Sequence, residues 1–172
     1  MNTLLFSAEI NSDEGLFYFE FERQFMDAGL RCIPMCVRYK LDTVGIKLSL
    51  DVWCKMNRME RVSLATLACY TPEDIRRYDQ FLCDCIKHYD HSDPMRLSPS
   101  LENDSTHQIY NRVSDHCKLY FIELKWNDWM SLTALERFAL SKLLKPGHES
   151  KNFVPALKEF GLLNKWELSG NE

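Results

Sequence analysis

Cysteine and histidine are the residue types in this sequence that do chemistry most readily, yet their spacing matches no specific catalytic or metal-binding motif. The chain has no glycine-rich phosphate loop, no G-x-S-x-G, no H-E-x-x-H and no C-x-x-C. The side chains of Cys83, Cys85, His88 and His91 are of metal-binding types, but residues two apart on a helix point about 200° from each other. Core cysteines on a helix are therefore the preferred interpretation.

Two other groups remain as candidate sites. Cys32 precedes a predicted helix start at Pro34, where the positive end of the helix dipole favours a negatively charged group such as a thiolate. His148 and Glu149 follow a Pro-Gly turn, and loops on a rigid scaffold are where functional residues concentrate. A packed thiol and a solvated helix start are the structural alternatives, and the sequence leaves both open.

Composition and charge exclude several classes of protein. The chain has 172 residues, of which 45% are hydrophobic and 27% charged, as is typical of a globular protein. Its formal net charge is −4, so we expect no general affinity for nucleic acid or anionic lipid. No stretch approaches the roughly 18 uncharged apolar residues of a membrane-spanning helix. The N-terminus has no basic signal region, which predicts a cytoplasmic location. The seven cysteines have no framework spacing, which predicts free thiols in that reducing compartment.

Helix start and stop signals recur along the chain. Proline in the first turn and glycine after the last turn predict a helix over about 34–44. The spacings Asn57-x-x-Glu60 and Thr133-x-x-Glu136 have the form of capping boxes, in which side chains at a helix start bond the unpaired amides. Ser49 can cap a short helix that carries Val52 and Trp53. Together with the sequence Thr-Pro-Glu-Asp, these signals also predict helices over about 57–67, 71–89 and 152–160.

The segment 16–26 has a different pattern. Its aromatic residues alternate with polar and charged ones, which places Phe17, Phe19 and Phe21 on one side and Glu20 and Glu22 on the other. A period of two predicts a strand or an extended arm, and a short helix is the alternative.

The second half of the chain resembles the first at a spacing of 76 residues. Eight of the 31 residue pairs between 37–67 and 113–143 are identical, and one capping box falls on the other. Capping explains the repeated glutamates, while the repeated Arg61 and Arg137 are expected to form salt bridges between the halves.

The predicted fold is therefore all-α or nearly so, with two related three-helix units packed together and a short extended N-terminal arm. We predict a single domain over 1–172, with a first helical repeat at 30–89 and a second at 107–161. The residues between them, 90–106, are rich in Ser, Pro, Asp and Asn and are predicted to be an exposed linker.

Three stretches of the chain resemble the nitrate reductase-associated protein family. They lie within 30–48, 136–143 and 147–161, and the resemblance spans roughly 20–162. Two positions depart from the family's pattern: Cys36 stands where a polar residue is usual, and Val44 where a cysteine is frequent. Neither position therefore predicts a thiol site.

The resemblance implies an accessory role. Members of the family are small proteins encoded beside assimilatory nitrate reductase and are regarded as needed for maturation of that molybdenum enzyme. The resemblance implies that this protein is a non-catalytic factor, that it carries no cofactor, and that it binds apo or immature nitrate reductase. The matching positions are expected to form one binding surface; they are Arg31, Cys32, Arg38, Lys40, His148, Glu149, Asn152 and Phe153.

Two alternative functions stay open at this point. The first is a carrier or insertion factor for the molybdenum cofactor or an iron–sulfur intermediate, with Cys32 and His148 as contacts. The second is a small enzyme in which Cys32 is the nucleophile and His148 the base. The sequence does not indicate an oligomeric state.

Overall fold

A computed structural model describes four stretches of the chain, which are residues 17–26, 32–97, 105–147 and 150–163. These residues are mainly helical and form no β-strand beyond one isolated bridge between Ile46 and Arg96, so the all-α prediction is confirmed. None of the described helices is long and apolar enough to cross a membrane. The chain divides into two compact units, Met1–Pro99 and Ser100–Glu172.

The first unit is built around one long helix. A 3₁₀ turn at Glu20–Glu22 leads into five helices: α1 (Arg23–Met26), α2 (Met35–Val44), α3 (Leu50–Lys55), α4 (Arg58–Thr66) and α5 (Pro72–Asp90). Helices α2, α3 and α4 all contact α5, and their apolar faces bury Val37, Trp53, Leu64, Tyr78 and Leu82. The described part of 30–89 holds four helices, which include the short helix predicted after Ser49, so the prediction of a three-helix unit is not confirmed.

The second unit contains α6 (Thr106–Lys118), α7 (Trp126–Ser131), α8 (Ala134–Leu143), a 3₁₀ turn at Ser150–Asn152 and α9 (Phe153–Glu159). Helix α8 contacts both α6 and α9, and the core between them includes Val113, Trp129, Leu140, Phe153 and Leu157.

The predicted capping boxes are confirmed. At the start of α4 the Asn57 side chain accepts from the amide of Glu60 (3.0 Å), and the Glu60 carboxylate accepts from the amide of Asn57 (2.8 Å). Thr133 and Glu136 make the same reciprocal pair at the start of α8. Each box satisfies two amides that the first helical turn leaves unpaired.

The repeated arginines bind main-chain carbonyls. Arg61 donates to the carbonyls of Cys54 (2.9 Å) and Met56 (3.0 Å), at the end of α3. Arg137 donates to the carbonyl of Leu132 (2.6 Å), just after α7. Each arginine therefore joins a short helix to the helix that follows it, in place of the predicted salt bridges.

The N-terminal arm is helical over Glu20–Met26, so the prediction of an extended arm is wrong there and the alternative, a short helix, is confirmed. The reason is Glu22, which is buried and accepts from two amides, those of Phe19 (3.0 Å) and Met35 (2.9 Å). Met35 is the first residue of α2, and the N-cap of that helix is Pro34, whose side chain has no acceptor. Glu22 thus supplies the cap that Pro34 lacks and joins the arm to α2.

All seven cysteines are free thiols. Five of them are buried in the core: Cys36, Cys69, Cys83, Cys85 and Cys117. Burial raises the pKa of Cys36 to about 12 and the pKa of Cys85 and Cys117 to about 11. These thiols therefore stay protonated in the folded protein at pH values where an unfolded chain would ionise them.

This difference predicts that the protein loses stability in mild alkali. An unfolded thiol ionises near its ordinary pKa of about 9, so unfolding releases protons above that pH and is favoured as pH rises. Burial lowers the pKa of Lys40, which opposes part of this effect. We expect the free energy of unfolding to fall by about 2 kcal/mol between pH 8 and pH 9.5, as measured by urea denaturation.

A pair of cysteine variants provides the control. Cys117→Ala removes one buried thiol and should flatten the pH dependence, whatever it does to the stability at pH 7. Cys54→Ala removes an exposed thiol and should leave the pH dependence unchanged. A free energy of unfolding that stays constant from pH 8 to pH 9.5 would contradict the prediction.

Candidate functional site

The turn that follows α6 presents three large apolar residues in succession, Leu119–Phe121, which we call the aromatic turn. Its backbone is fixed by a Schellman motif, in which the amide of Ile122 donates to the carbonyl of Cys117 (3.1 Å) and the amide of Phe121 to that of Lys118 (3.1 Å). The two bonds satisfy carbonyls at the helix end, so hydrogen bonds fix the backbone of the turn.

The side chains of the aromatic turn are exposed. Phe121 is 95% exposed, Leu119 is 70% exposed and Tyr120 is 44% exposed. The next residue, Ile122, points inward and is buried, as is Leu124. A run of exposed apolar residues held on a fixed backbone is typical of a protein-binding surface.

Phe121 also has an unfavourable backbone conformation. Its φ is +60°, in the left-handed region that bulky side chains rarely adopt. The Schellman motifs at the ends of α2 and α9 place glycine at the same position, Gly45 with φ +66° and Gly161 with φ +70°. A residue with a Cβ costs about 1–2 kcal/mol there. Phe121 recovers none of this cost by burial, and such strain is concentrated at functional sites.

Packing from α9 supports the aromatic turn. The ring of Phe153, the first residue of α9, lies 6.0 Å from the ring of Tyr120 and 4.6 Å from that of His116. Phe153 is fully buried and Asn152 beside it is buried as well. These two predicted surface residues therefore lie in the interior of the second unit, where Phe153 positions Tyr120 from beneath.

Lys40, another predicted surface residue, is also buried. Its ammonium group donates to the carbonyls of Ala65 (2.6 Å) and Leu67 (2.7 Å) and lies 3.4 Å from that of Leu64. These are carbonyls of the last turn of α4, which have no partner within the helix. Burial lowers the pKa of Lys40. The structure thus gives Lys40 the role of closing the end of α4, and its side chain is not available to a partner.

The remaining predicted site residues fall in several places. Cys32 and Arg38 are partly exposed and belong to the first unit, just before and within α2. Arg31, His148 and Glu149 lie outside the described residues. Asn152 and Phe153 belong to the second unit.

Of the cysteines and histidines at 83–91, Cys83 has a structural role. Cys83 is buried, and its thiol lies 3.7 Å from both the carboxylate of Asp79 and the guanidinium of Arg96. Arg96 in turn donates two hydrogen bonds to Asp79 (2.5 and 3.0 Å). Among the described residues, no three His, Cys, Asp or Glu side chains form a cluster that could hold a metal ion.

A comparison with known proteins gives one result. A family model described as conserved nitrate reductase-associated protein matches residues 18–160, in agreement with the resemblance seen in the sequence. No curated protein and no solved structure matches the chain.

Proposed function

Because the chain belongs to the conserved nitrate reductase-associated protein family, we propose that it is a non-catalytic accessory factor that binds apo or immature nitrate reductase through the aromatic turn. The observation that carries this proposal is Phe121, which is 95% exposed in an unfavourable backbone conformation. Glycine would be more stable at this position, so an exposed ring that is kept here fits a role in binding better than a role in folding.

The other residues of the turn fit a binding role. Leu119 and Tyr120 directly precede Phe121 and add further exposed apolar surface. The ring of Tyr120 stacks on the buried ring of Phe153. An aromatic side chain on a rigid support loses little conformational entropy when it binds, which is why aromatic residues dominate the energetics of protein interfaces.

The two units also support an origin by duplication. Helices α3 and α7 lie 76 residues apart, and so do the starts of α4 and α8. The Schellman turns at Gly45 and Phe121 have the same spacing. On this view Phe121 stands at the position that Gly45 occupies in the first unit. This difference marks the second unit as the one that binds nitrate reductase.

Variants of Phe121 test the proposal. Phe121→Gly should raise the free energy of unfolding by about 1 kcal/mol, because it relieves the backbone strain at no cost in buried surface. The same change should weaken capture of apo nitrate reductase by at least about tenfold, because the ring is lost. The capture is measured with immobilised chain against cofactor-free and cofactor-loaded enzyme, and the cofactor-free form should bind more tightly.

Two further variants serve as controls. Phe121→Ala removes the ring but keeps a Cβ in the left-handed conformation, so it should weaken capture without stabilising the chain. Met59→Ala removes an exposed apolar side chain from α4 of the first unit and should change neither property. Equal capture by wild type and both Phe121 variants would exclude the aromatic turn as the binding surface, and no capture by any of them would exclude the function.

We place the protein in the cytoplasm, as its cysteine content predicts, because buried free thiols persist in a reducing compartment. The two alternative functions, a cofactor carrier and a Cys32–His148 enzyme, stay predictions from the sequence.

A further inference from the structure

The turn after α2 is paired with a segment of its own unit. The amide of Leu97 donates to the carbonyl of Gly45 (2.8 Å), and the amide of Lys47 donates to the carbonyl of Met95 (3.0 Å). These two hydrogen bonds form the isolated antiparallel bridge of the first unit. The backbone groups that this turn directs away from its own helix are therefore satisfied.

The turn after α6 leads into a segment of the same kind, residues 121–125. Ile122 and Leu124 are buried, and the three residues that alternate with them are exposed. The amide of Ile122 donates to the end of α6 (3.1 Å), and the carbonyl of Leu124 accepts from the hydroxyl of Tyr110 (3.0 Å). Along an extended segment the backbone groups of successive residues point to opposite edges, so those of the exposed residues point away from α6.

The edge that the exposed residues form is open. Within the described residues, the carbonyl of Phe121 and the amides of Glu123 and Lys125 make no backbone hydrogen bond. The first two of these groups lie 76 residues after the carbonyl of Gly45 and the amide of Lys47, which are both paired in the first unit. Exposed, unpaired amides and carbonyls along one edge are a template for an added strand.

We propose that this edge binds an extended segment of a partner protein, antiparallel to it and in the register that the first unit shows. The partner residue opposite Phe121 donates its amide to the Phe121 carbonyl, and the partner residue opposite Glu123 accepts from the Glu123 amide. Side chains directly opposite each other on paired strands are in contact. The partner segment therefore reads, from its N-terminus, acidic opposite Lys125, basic opposite Glu123 and apolar opposite Phe121, at alternate positions.

The charges of the edge favour a partner over a second copy of the chain. Glu123 and Lys125 are exposed, and neither forms an ion pair with another described residue. A second copy satisfies all of the open groups when it pairs about Glu123, and that register sets two carboxylates directly opposite each other. Like charges in such a pair are destabilising, whereas opposite charges are stabilising. A partner segment with a basic residue at this place fits the edge better.

The identity of the partner rests on the proposed function. Binding of a cofactor or metal is coupled to folding, so segments around an empty cofactor site are left without their own pairing partners. An extended segment with free backbone groups is what the open edge takes. Addition of such a segment gives a physical reason for tighter binding of the cofactor-free enzyme.

A blocked peptide tests the pairing on the isolated chain, without the enzyme. The probe is acetyl-Thr-Asp-Val-Arg-Val-Phe-Thr-amide, and its control is the same peptide methylated on the phenylalanine amide, which cannot donate to the Phe121 carbonyl. We expect the probe at millimolar concentration to slow hydrogen exchange of the Glu123 amide at least about threefold, and the control to leave it unchanged. The Lys47 amide, which is bonded to Met95, should exchange slowly throughout and serves as the reference.

The charge of Glu123 provides a second test with the same probe. Wild type should bind the probe about fivefold more tightly than a peptide with glutamate in place of the arginine. Glu123→Lys should reverse this order, because the residue opposite the exchanged position then carries the opposite charge. Equal affinities of the two peptides for wild type would overturn the charge assignment.

The outcomes separate the pairing from the proposed function. A Glu123 amide that the probe leaves unchanged, or that both peptides slow equally, would overturn the pairing. Slow exchange in the free chain that is lost on dilution would assign the edge to a second copy instead. Capture of apo nitrate reductase with the Glu123 amide still exchanging freely would exclude the pairing and keep the aromatic turn as the binding surface. Slowing by the probe without capture of the enzyme would support the pairing and exclude the enzyme as its partner.

Discussion

Lys40→Met should lower the free energy of unfolding by about 3 kcal/mol, because it removes a buried ammonium group that satisfies carbonyls at the end of α4. Methionine fills a similar volume but donates no hydrogen bond, so the carbonyls of Ala65 and Leu67 are left buried without their partner. Part of this loss is offset because the desolvation of the charge, which lowers the pKa of Lys40, is removed as well. Chemical denaturation at pH 7 measures the difference.

Lys47→Met is the matched control for this prediction. Lys47 lies soon after the same helix and is exposed, so the identical substitution should leave stability unchanged. A Lys40→Met protein as stable as wild type would contradict the structural role and restore Lys40 as a candidate for partner binding. Loss of stability without any loss of capture by the residual folded protein is the expected pattern.

Glu22→Ala should lower the free energy of unfolding by about 4 kcal/mol, the largest effect of any substitution considered, because two charge-assisted hydrogen bonds are lost together. The amides of Phe19 and Met35 are then left without an acceptor, and α2 loses the cap that Pro34 cannot provide. The N-terminal arm, which also receives a hydrogen bond from the thiol of Cys36 to the carbonyl of Phe17 (3.0 Å), should detach from α2.

Two variants bracket the Glu22 prediction. Glu22→Gln keeps one acceptor oxygen and should cost roughly half as much. Glu20→Ala removes an exposed carboxylate whose ion pair with Arg23 (2.7 Å) is largely solvated, and it should have little effect. Equal stability of the Glu22→Ala and Glu20→Ala proteins would show that the buried cap does not stabilise α2.

The sequence predicted those parts of the fold that local signals specify. The turn residue Gly45 and the capping boxes at Asn57 and Thr133 are local, since each depends on side chains within a few positions of the helix end. The cap that Glu22 gives to α2 is not local, because the carboxylate is 13 residues from the amide it binds. The alternation of aromatic and charged residues in the arm instead predicted that Glu22 lies on the polar side of an extended segment.

The candidate site shows the same division between local and distant contacts. Lys40 reads as a surface residue because lysine is rarely buried, and only the approach of the end of α4, 25 residues further on, explains its position. Phe121 carried a signal that sequence reasoning missed. The 76-residue alignment sets Phe121 on Gly45, a helix-ending glycine, and a phenylalanine in place of such a glycine indicates a left-handed residue with a bulky side chain.

The most direct measurement is photo-crosslinking from position 121 in cells that assemble nitrate reductase. Phenylalanine at 121 is replaced by its photoreactive benzoyl analogue, and the same analogue is placed at position 59 on α4 as a control. If the aromatic turn binds the enzyme, position 121 should form a covalent adduct with nitrate reductase, strongest while the enzyme lacks its cofactors, and position 59 should form none. Adducts of nitrate reductase from neither position, or equally from both, would contradict the claim that the aromatic turn binds the enzyme.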